Sequence, residues 1–381
     1  MLPEIYQKHL VTRLTKTQYL IVSVLVQLLS IYRWVRLEEL ANKFPSPILW
    51  ESRRRKLQRF LDSPNLTIEN IWLPIITGYL RMVFPLEETL YIAIERTRWK
   101  KNNLMMIAVI IAGRALPLYW ELLDDVGNSD VEIQKTLLSR VLPLFADYNK
   151  VVLGDREFCG VGLAGWLKCQ KNTYFCLRLK KNEYVEREKD IWLTLKDLGV
   201  EPGMSLYLPG VKITKTNGFG PVNLAGKWKR KYRGWTAKEG WFILTNLDTL
   251  EAALLAYQKR FGIEEMFRDF KSGGYNLEDT LLTGHRLSTL ILLITLAYAS
   301  ATFSGEIIKE QGNAKYVGRV KEKERTERRH SDFYLGIHAL SWVESLQKFD
   351  VEMRALMNLS PGRRANYQRG MRAASLILSA L

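Results

Sequence analysis

Four polar residues near the middle of the chain are spaced as a set. Tyr257, Arg260, Glu264 and Lys271 stand at offsets 0, 3, 7 and 14. At about 100° per residue, a single helix would carry all four within roughly 60° of arc. Phe261, Ile263, Met266, Phe267 and Phe270 between them supply an apolar side for packing. A phenol, two cations and a carboxylate on one face suit the gripping of phosphates around a metal ion. Two further acids have the right setting to join them. Glu95 ends the apolar run Thr89–Ile94, and Asp155 follows Val151-Val-Leu-Gly154. Carboxylates at strand ends, with one from a helix, can hold Mg²⁺ or Mn²⁺ over a scissile phosphate and activate a water or a 3′ hydroxyl. Taken singly, a strand-end aspartate is equally a helix cap. Glu265 is the rival carboxylate, but it points about 100° away from Glu264.

The elements that must position these residues follow from periodicity. Residues 1–85 read as helical. Leu37–Phe44 and Glu51–Leu61 are amphipathic, and the second carries Arg53, Arg54, Arg55, Lys56 and Arg59. Two short helices with a basic second member predict a helix-turn-helix-like DNA contact, or else a solvated basic face on a helical bundle. Residues 86–180 read as α/β. Strands are expected at Thr89–Ile94, Leu104–Ala112 and, at a sheet edge because of Pro117, Arg114–Leu122. A helix over Val131–Phe145, a strand at Lys150–Leu153, a helix at Val161–Leu167 and a strand at Thr173–Leu179 complete a layered domain. Residues 181–245, with Pro202-Gly203, Pro209-Gly210 and Gly218-Phe-Gly220, predict a β-rich insertion. Residues 246–300 resume the core with a helix from Thr249 to Lys271, and 301–381 read as helical.

Bulk composition narrows the partner. The chain has 381 residues, 56 of them basic against 40 acidic, for a net charge of +16 and a pI near 9.6. That excess points to a polyanion, nucleic acid first. The run Lys227-Trp-Lys229-Arg230-Lys231-Tyr-Arg233 interleaves cations with aromatics and suits a DNA backbone. Lys321–His330 is charge-rich but mixed in sign, as on a solvated helix. Three cysteines without a CxxC pair argue against zinc and for a reducing cytoplasm. Tyr19–Ile31 is too short to span a bilayer, and Leu287–Phe303 carries enough Ser, Thr and Tyr to read as a buried helix, so no membrane partner is expected.

The spacing Y-x2-R-x3-E-x6-K at Tyr257, Arg260, Glu264 and Lys271 resembles the YREK signature of DDE transposases encoded by bacterial insertion sequences. Gly154-Asp-Arg-Glu-Phe158 is similar to the second-aspartate motif of that family. Arg96–Lys100 after the first strand and Ser52–Phe60 in the N-terminal region fit as well. The resemblance implies an RNase H-like core with a β-rich insertion before the helix glutamate. It makes Glu95, Asp155 and Glu264 the catalytic metal ligands, with Tyr257, Arg260 and Lys271 on DNA phosphates. Trp241 matches a position where relatives stack an extruded base, and core packing in the insertion is the alternative. The implied activity is binding of terminal inverted repeats in double-stranded DNA, hydrolytic cleavage, and joining of 3′ ends to target DNA by transesterification. The resemblance further implies that the second strand is cut through a hairpin and that a homodimeric synaptic complex forms at the bacterial nucleoid. One departure stands out: the family has aspartate where this chain has Glu95, one methylene longer by about 1.5 Å, and magnesium tolerates displaced ligands poorly. This leaves open an active enzyme, a DNA-binding copy that represses relatives, and a nuclease without strand transfer.

Overall fold

A computed structural model describes residues 2–124, 130–216, 218–231, 237–320 and 330–381. Tyr232 and Arg233 of the basic run, and residues 321–329 of the charged segment, lie outside them. The chain forms two compact units, one of Met1–Ile75 with Arg268–Leu381, the other of Ile76–Phe267.

The first unit is helical. It opens with α1 (Glu4–Arg13), α2 (Lys16–Tyr32), α3 (Leu37–Lys43) and α4 (Trp50–Leu61), and α5 (Leu73–Val83) leads out of it. Thr15 starts α2 through a capping box with Gln18, satisfying backbone donors at both positions. The expected helices at Leu37 and Glu51 are α3 and α4. Their arginines are partly committed: Arg54 pairs with Glu38 of α3 at 3.1 Å, and Arg53 Nε donates to the Ala41 carbonyl at 3.0 Å. Arg55 and Arg59 are exposed.

The second unit carries the sheet. Its strands are β1 (Thr89–Trp99), β2 (Asn102–Ile111), β3 (Arg114–Leu122), β4 (Asn149–Gly154), β5 (Thr173–Arg178), β6 (Tyr184–Glu188), β7 (Ile191–Thr194), β8 (Ser205–Ile213), β9 (Phe219–Lys227) and β10 (Trp241–Thr245). Among the described residues they form one ten-stranded sheet in the order β3-β2-β1-β4-β5-β10-β9-β8-β6-β7. The hairpins β1–β2 and β2–β3 are antiparallel, whereas β4 runs parallel to β1 and to β5. α6 (Val131–Val141) and α7 (Val161–Lys168) make the two crossovers, as parallel neighbours require. β2 is buried along nearly its whole length, the mark of a strand covered on both faces. This mixed five-strand core, with the Pro-bearing β3 at its edge, is RNase H-like.

Four expectations change in detail. β1 runs on to Trp99, so Glu95 lies inside the strand; what ends at Ile94 is pairing with β4. The Val131 helix stops at Val141, because Pro143 turns the chain into a 3₁₀ segment. The insertion strands do not stand apart: β10 pairs with β5 on one side and β9 on the other, so they continue the core sheet. The helix after Thr249 is two helices, α8 (Leu250–Lys259) and α9 (Phe261–Phe270). At the joint the Arg260 and Ile263 amides each bond a carbonyl three residues back, tightening one turn and resetting the helix faces. A Cβ on the next residue but one, Gly262, would press on the Gly113–Arg114 backbone at 3.3 Å, so the start of α9 rests against the β2–β3 turn.

The C-terminal part of the helical unit holds α10 (Gly284–Glu310), α11 (Ala314–Val317), α12 (Asp332–Lys348), α13 (Asp350–Asn358) and α14 (Arg364–Ala380). α10 is long and apolar enough to cross a membrane, yet 78% of its most apolar stretch is buried within the protein. The Tyr6 hydroxyl of α1 donates to its Leu296 carbonyl at 3.1 Å, and Tyr298 packs on Phe333 of α12 with ring centroids 4.9 Å apart. α10 and α12 meet backbone to backbone: a Cβ on Gly305 would collide with the Asp332 carbonyl, and one on Gly336 with that of Ala301. Gly336→Ala is therefore expected to cost at least about 1–3 kcal/mol in urea denaturation, since neither contact partner is a side chain that can swing aside.

Candidate active site

The acids converge because of strand register. Ile94 pairs with Gly154, and Gly154 with Leu177. One residue past those pairs, Glu95 lies in β1, Asp155 directly follows β4 and Arg178 ends β5, and Asp155 and Glu264 are both close enough to act on the Glu95 carboxyl. Asp155 is half-buried, and its Oδ1 accepts from the Glu157 amide at 2.8 Å. Glu157 in turn binds Arg96 of β1, 2.6 Å away, clamping the loop after β4 to the strand beside it. A packed glycine precedes Asp155: a Cβ at Gly154 would stand 2.7 Å from that of Phe158.

Arg260 ties the third acid in. Its side chain is 6% exposed; Nη1 donates to Glu95 Oε2 at 2.5 Å and Nη2 to Glu264 Oε1. The guanidinium also lies 5.5 Å from the Tyr257 ring centroid and 5.2 Å from that of Phe261. Burial pushes the Glu95 carboxyl up to about 8; Arg260 pulls it down, while Asp155 and Glu264 add to the rise. Burial likewise raises the Tyr257 phenol, against the pull of Arg260 and Arg178. Glu95 thus feels Asp155 and Glu264, and one buried guanidinium joins it to Glu264.

The single helix expected to carry all four residues on one face is instead two helices that meet at Arg260. Tyr257 is fully buried and Arg260 nearly so, while Glu264 is exposed, because the joint at Arg260 turns α8 inward before α9 begins. Lys271 lies one residue past α9, in the helical unit, and pairs with Glu278 at 2.9 Å. Glu265 points elsewhere, to Arg114 at 3.2 Å. Trp241 is half-buried at the start of β10, edge-on to Tyr257 at 5.2 Å and tilted over Phe261 at 5.9 Å. Lys229 reaches over its ring at 5.5 Å. Lys229, Arg230 and Lys231 are exposed and Lys227 is half-buried.

Sequence reasoning missed Arg178 and Glu239. One Glu239 oxygen accepts from both Arg156 Nη1 at 2.6 Å and Arg178 Nη2 at 2.8 Å. The signal was the single cation closing the otherwise uncharged strand Thr173–Arg178.

Among the described residues no group of three or more His, Cys, Asp or Glu side chains is arranged to hold a metal ion. The donor chemistry nevertheless fits a hard divalent cation. Glu95, Asp155 and Glu264 offer only oxygens, and a cation would relieve the repulsion that Asp155 and Glu264 add to the burial penalty at Glu95.

The sheet and these acids lie within a region that matches the family model for the transposase DDE domain, residues 91–300, more than half of the chain. The protein belongs to that family. Among solved structures, a piggyBac transposase synaptic complex with hairpin DNA is similar at a TM-score of 0.44 and 9% identity, over 88% of this chain and 73% of that one. No curated protein matches the chain.

The Glu95 proton gives a pH signature. The native value near 8 lies above the ordinary 4.5, so the folded state holds this proton more tightly than the unfolded chain. The resulting stability is fully present below about pH 4.5 and is lost as pH rises toward about 8. Thermal melts across this range should show the wild type losing ground to Glu95→Gln, whose curve stays flatter.

Proposed function

We propose that this protein is a DNA transposase that cuts the ends of its own element and joins the 3′ ends to target DNA. The observation that carries the reading is the Arg260 guanidinium bridging acids from β1 and α9 beside Asp155, inside a DDE domain. Magnesium or manganese held by Glu95, Asp155 and Glu264 would supply an activated water or 3′ hydroxyl and stabilise the leaving oxygen. Asp155 is oriented by the Glu157 amide and Glu95 is fixed within its strand, so two of the three ligands are set by the sheet. Arg260 is placed to exchange a carboxylate for a nonbridging phosphate oxygen, a like-for-like partner for a guanidinium fork. Lys227, Lys229, Arg230 and Lys231 would track the DNA backbone, with Arg53, Arg54 and Arg55 contacting the terminal repeat and Lys271 a further phosphate. Trp241 would stack a base displaced from the duplex. The working assembly is a homodimer holding two element ends, in the cytoplasm at the bacterial nucleoid.

A second reading keeps the DNA binding without the cutting. It is favoured by one observation: Glu95, the longer acid, is already engaged by Arg260 Nη1 at 2.5 Å. End-labelled duplex incubated with Mn²⁺ separates the two. Glu264→Ala should reduce cleavage about a thousandfold, the scale of several kcal/mol of lost charge stabilisation, while binding changes little. Glu265→Ala should cut like the wild type. Cleavage by Glu95→Asp but not by the wild type would establish the binding-only reading, and pre-cut 3′ ends that fail to join would leave a nuclease.

A further inference from the structure

We infer that Arg156 and Arg178 form a phosphodiester subsite beside the catalytic acids, covered in this structure by Glu239. The inference rests on the DNA-transposase reading and adds a site to it. Arg178 ends β5, the strand paired with β4, and stands one residue past the Gly154–Leu177 pair just as Asp155 stands one residue past Gly154; neighbouring strands lie about 4.8 Å apart. Arg156 follows Asp155 directly in the chain. A polynucleotide whose scissile phosphate lies at Glu95 and Asp155 would therefore carry its next phosphate toward these two guanidinium groups. Both are engaged, and by one oxygen of one carboxylate, at 2.6 and 2.8 Å. Two arginine forks converging on a single oxyanion is the geometry they would offer a phosphate oxygen.

The three side chains are not sealed in. Arg156 is 49% exposed, Glu239 24% and Arg178 16%, so an incoming strand has access. Glu239 stands two residues before β10, in the insertion, whereas both arginines belong to the RNase H-like core. The insertion thus supplies an internal anion to a cationic pair of the core. The Arg178 charge is felt at Tyr257, which places the pair within the electrostatic reach of the active site. A purely structural ion pair would need no second arginine; a site matched to a doubly contacted phosphate does.

The test is fluorescence anisotropy of the full-length protein with a labelled duplex of arbitrary sequence, titrated with salt. Glu239→Gln keeps the side-chain shape and frees both arginines. It should bind roughly tenfold tighter near 0.1 M salt, with the slope of log affinity against log salt steeper by about 0.9 per phosphate gained. Arg178→Gln should bind more weakly, with a shallower slope. Glu188→Gln, an exposed acid on β6, changes net charge equally and should give little of the gain. In the double variant Glu239→Gln/Arg178→Gln most of the gain should vanish. The subsite is overturned if Glu239→Gln behaves like Glu188→Gln, if it binds more weakly at an unchanged melting temperature, or if the double variant keeps the full gain. Should Glu239→Gln fail to fold, an Arg178→Gln variant with wild-type affinity and slope overturns it. A wild type that binds no duplex at all would sink the transposase reading as well. A wild type that binds and cuts, with silent variants, removes only the subsite.

Discussion

The burial of Glu95 beside Asp155 and Glu264, offset by the Arg260 guanidinium that bonds Glu95 and Glu264, is the constraint around which the site is arranged. Bringing like charges together in a low-dielectric setting is unfavourable unless a cation joins them. The sheet-bearing unit supplies one from the joint between α8 and α9, and the joint itself allows it. In an unbroken helix Tyr257, Arg260 and Glu264 would share one surface. With a tightened turn at Arg260, the tyrosine enters the core, the arginine spans the acids and the glutamate stays open to solvent.

Everything near the site can be traced to how that balance is held. Parallel pairing of β1 with β4 and of β4 with β5 holds in register the residues immediately before Glu95, Asp155 and Arg178, so two acids and a base follow three adjacent strand pairs. Arg96 and Glu157 fasten the loop that follows Asp155. The aromatic group Trp241, Tyr257 and Phe261 walls one side of Arg260 and keeps water from diluting its charge. The insertion enters this balance through Glu239. It therefore acts on the electrostatics of the core as well as extending its sheet.

Much of this was legible in the sequence, for specific physical reasons. The strands of the core announced themselves because β2, β4 and β5 are short apolar runs bounded by turn residues, and Pro117 marked β3 as an edge. The acids stood out because Glu95 and Asp155 each follow an apolar run and Glu264 lies on a helix, although Glu95 sits inside β1 rather than at its end. The break at Arg260 was not legible, since neither proline nor a helix-breaking run stands there. Two residues on, Gly262 lies close against the β2–β3 turn, a tertiary contact that local patterning does not announce. The continuity of the sheet through β10 was hidden for a similar reason: pairing between Thr245 and Cys176 spans a long separation that local patterning does not encode. Glu239 was invisible because a lone acid near Gly240 looks like any loop residue until the two arginines are seen around it.

The division of the chain has a consequence for its birth on the ribosome. The helical unit is built from both ends of the sequence, whereas the sheet-bearing unit is one uninterrupted stretch, Ile76–Phe267. Synthesis runs from the N-terminus, so that stretch can fold as soon as it has emerged. The first 75 residues must wait. Their partners include α10, to which α1 and α2 bring apolar side chains, and α10 is translated last but for the C-terminal helices. During that interval Leu25, Val26 and Leu29, buried in the finished protein, have no native surface to cover them. Until α10 and α12 are made, α2 therefore lacks two of the helices it packs on in the finished unit.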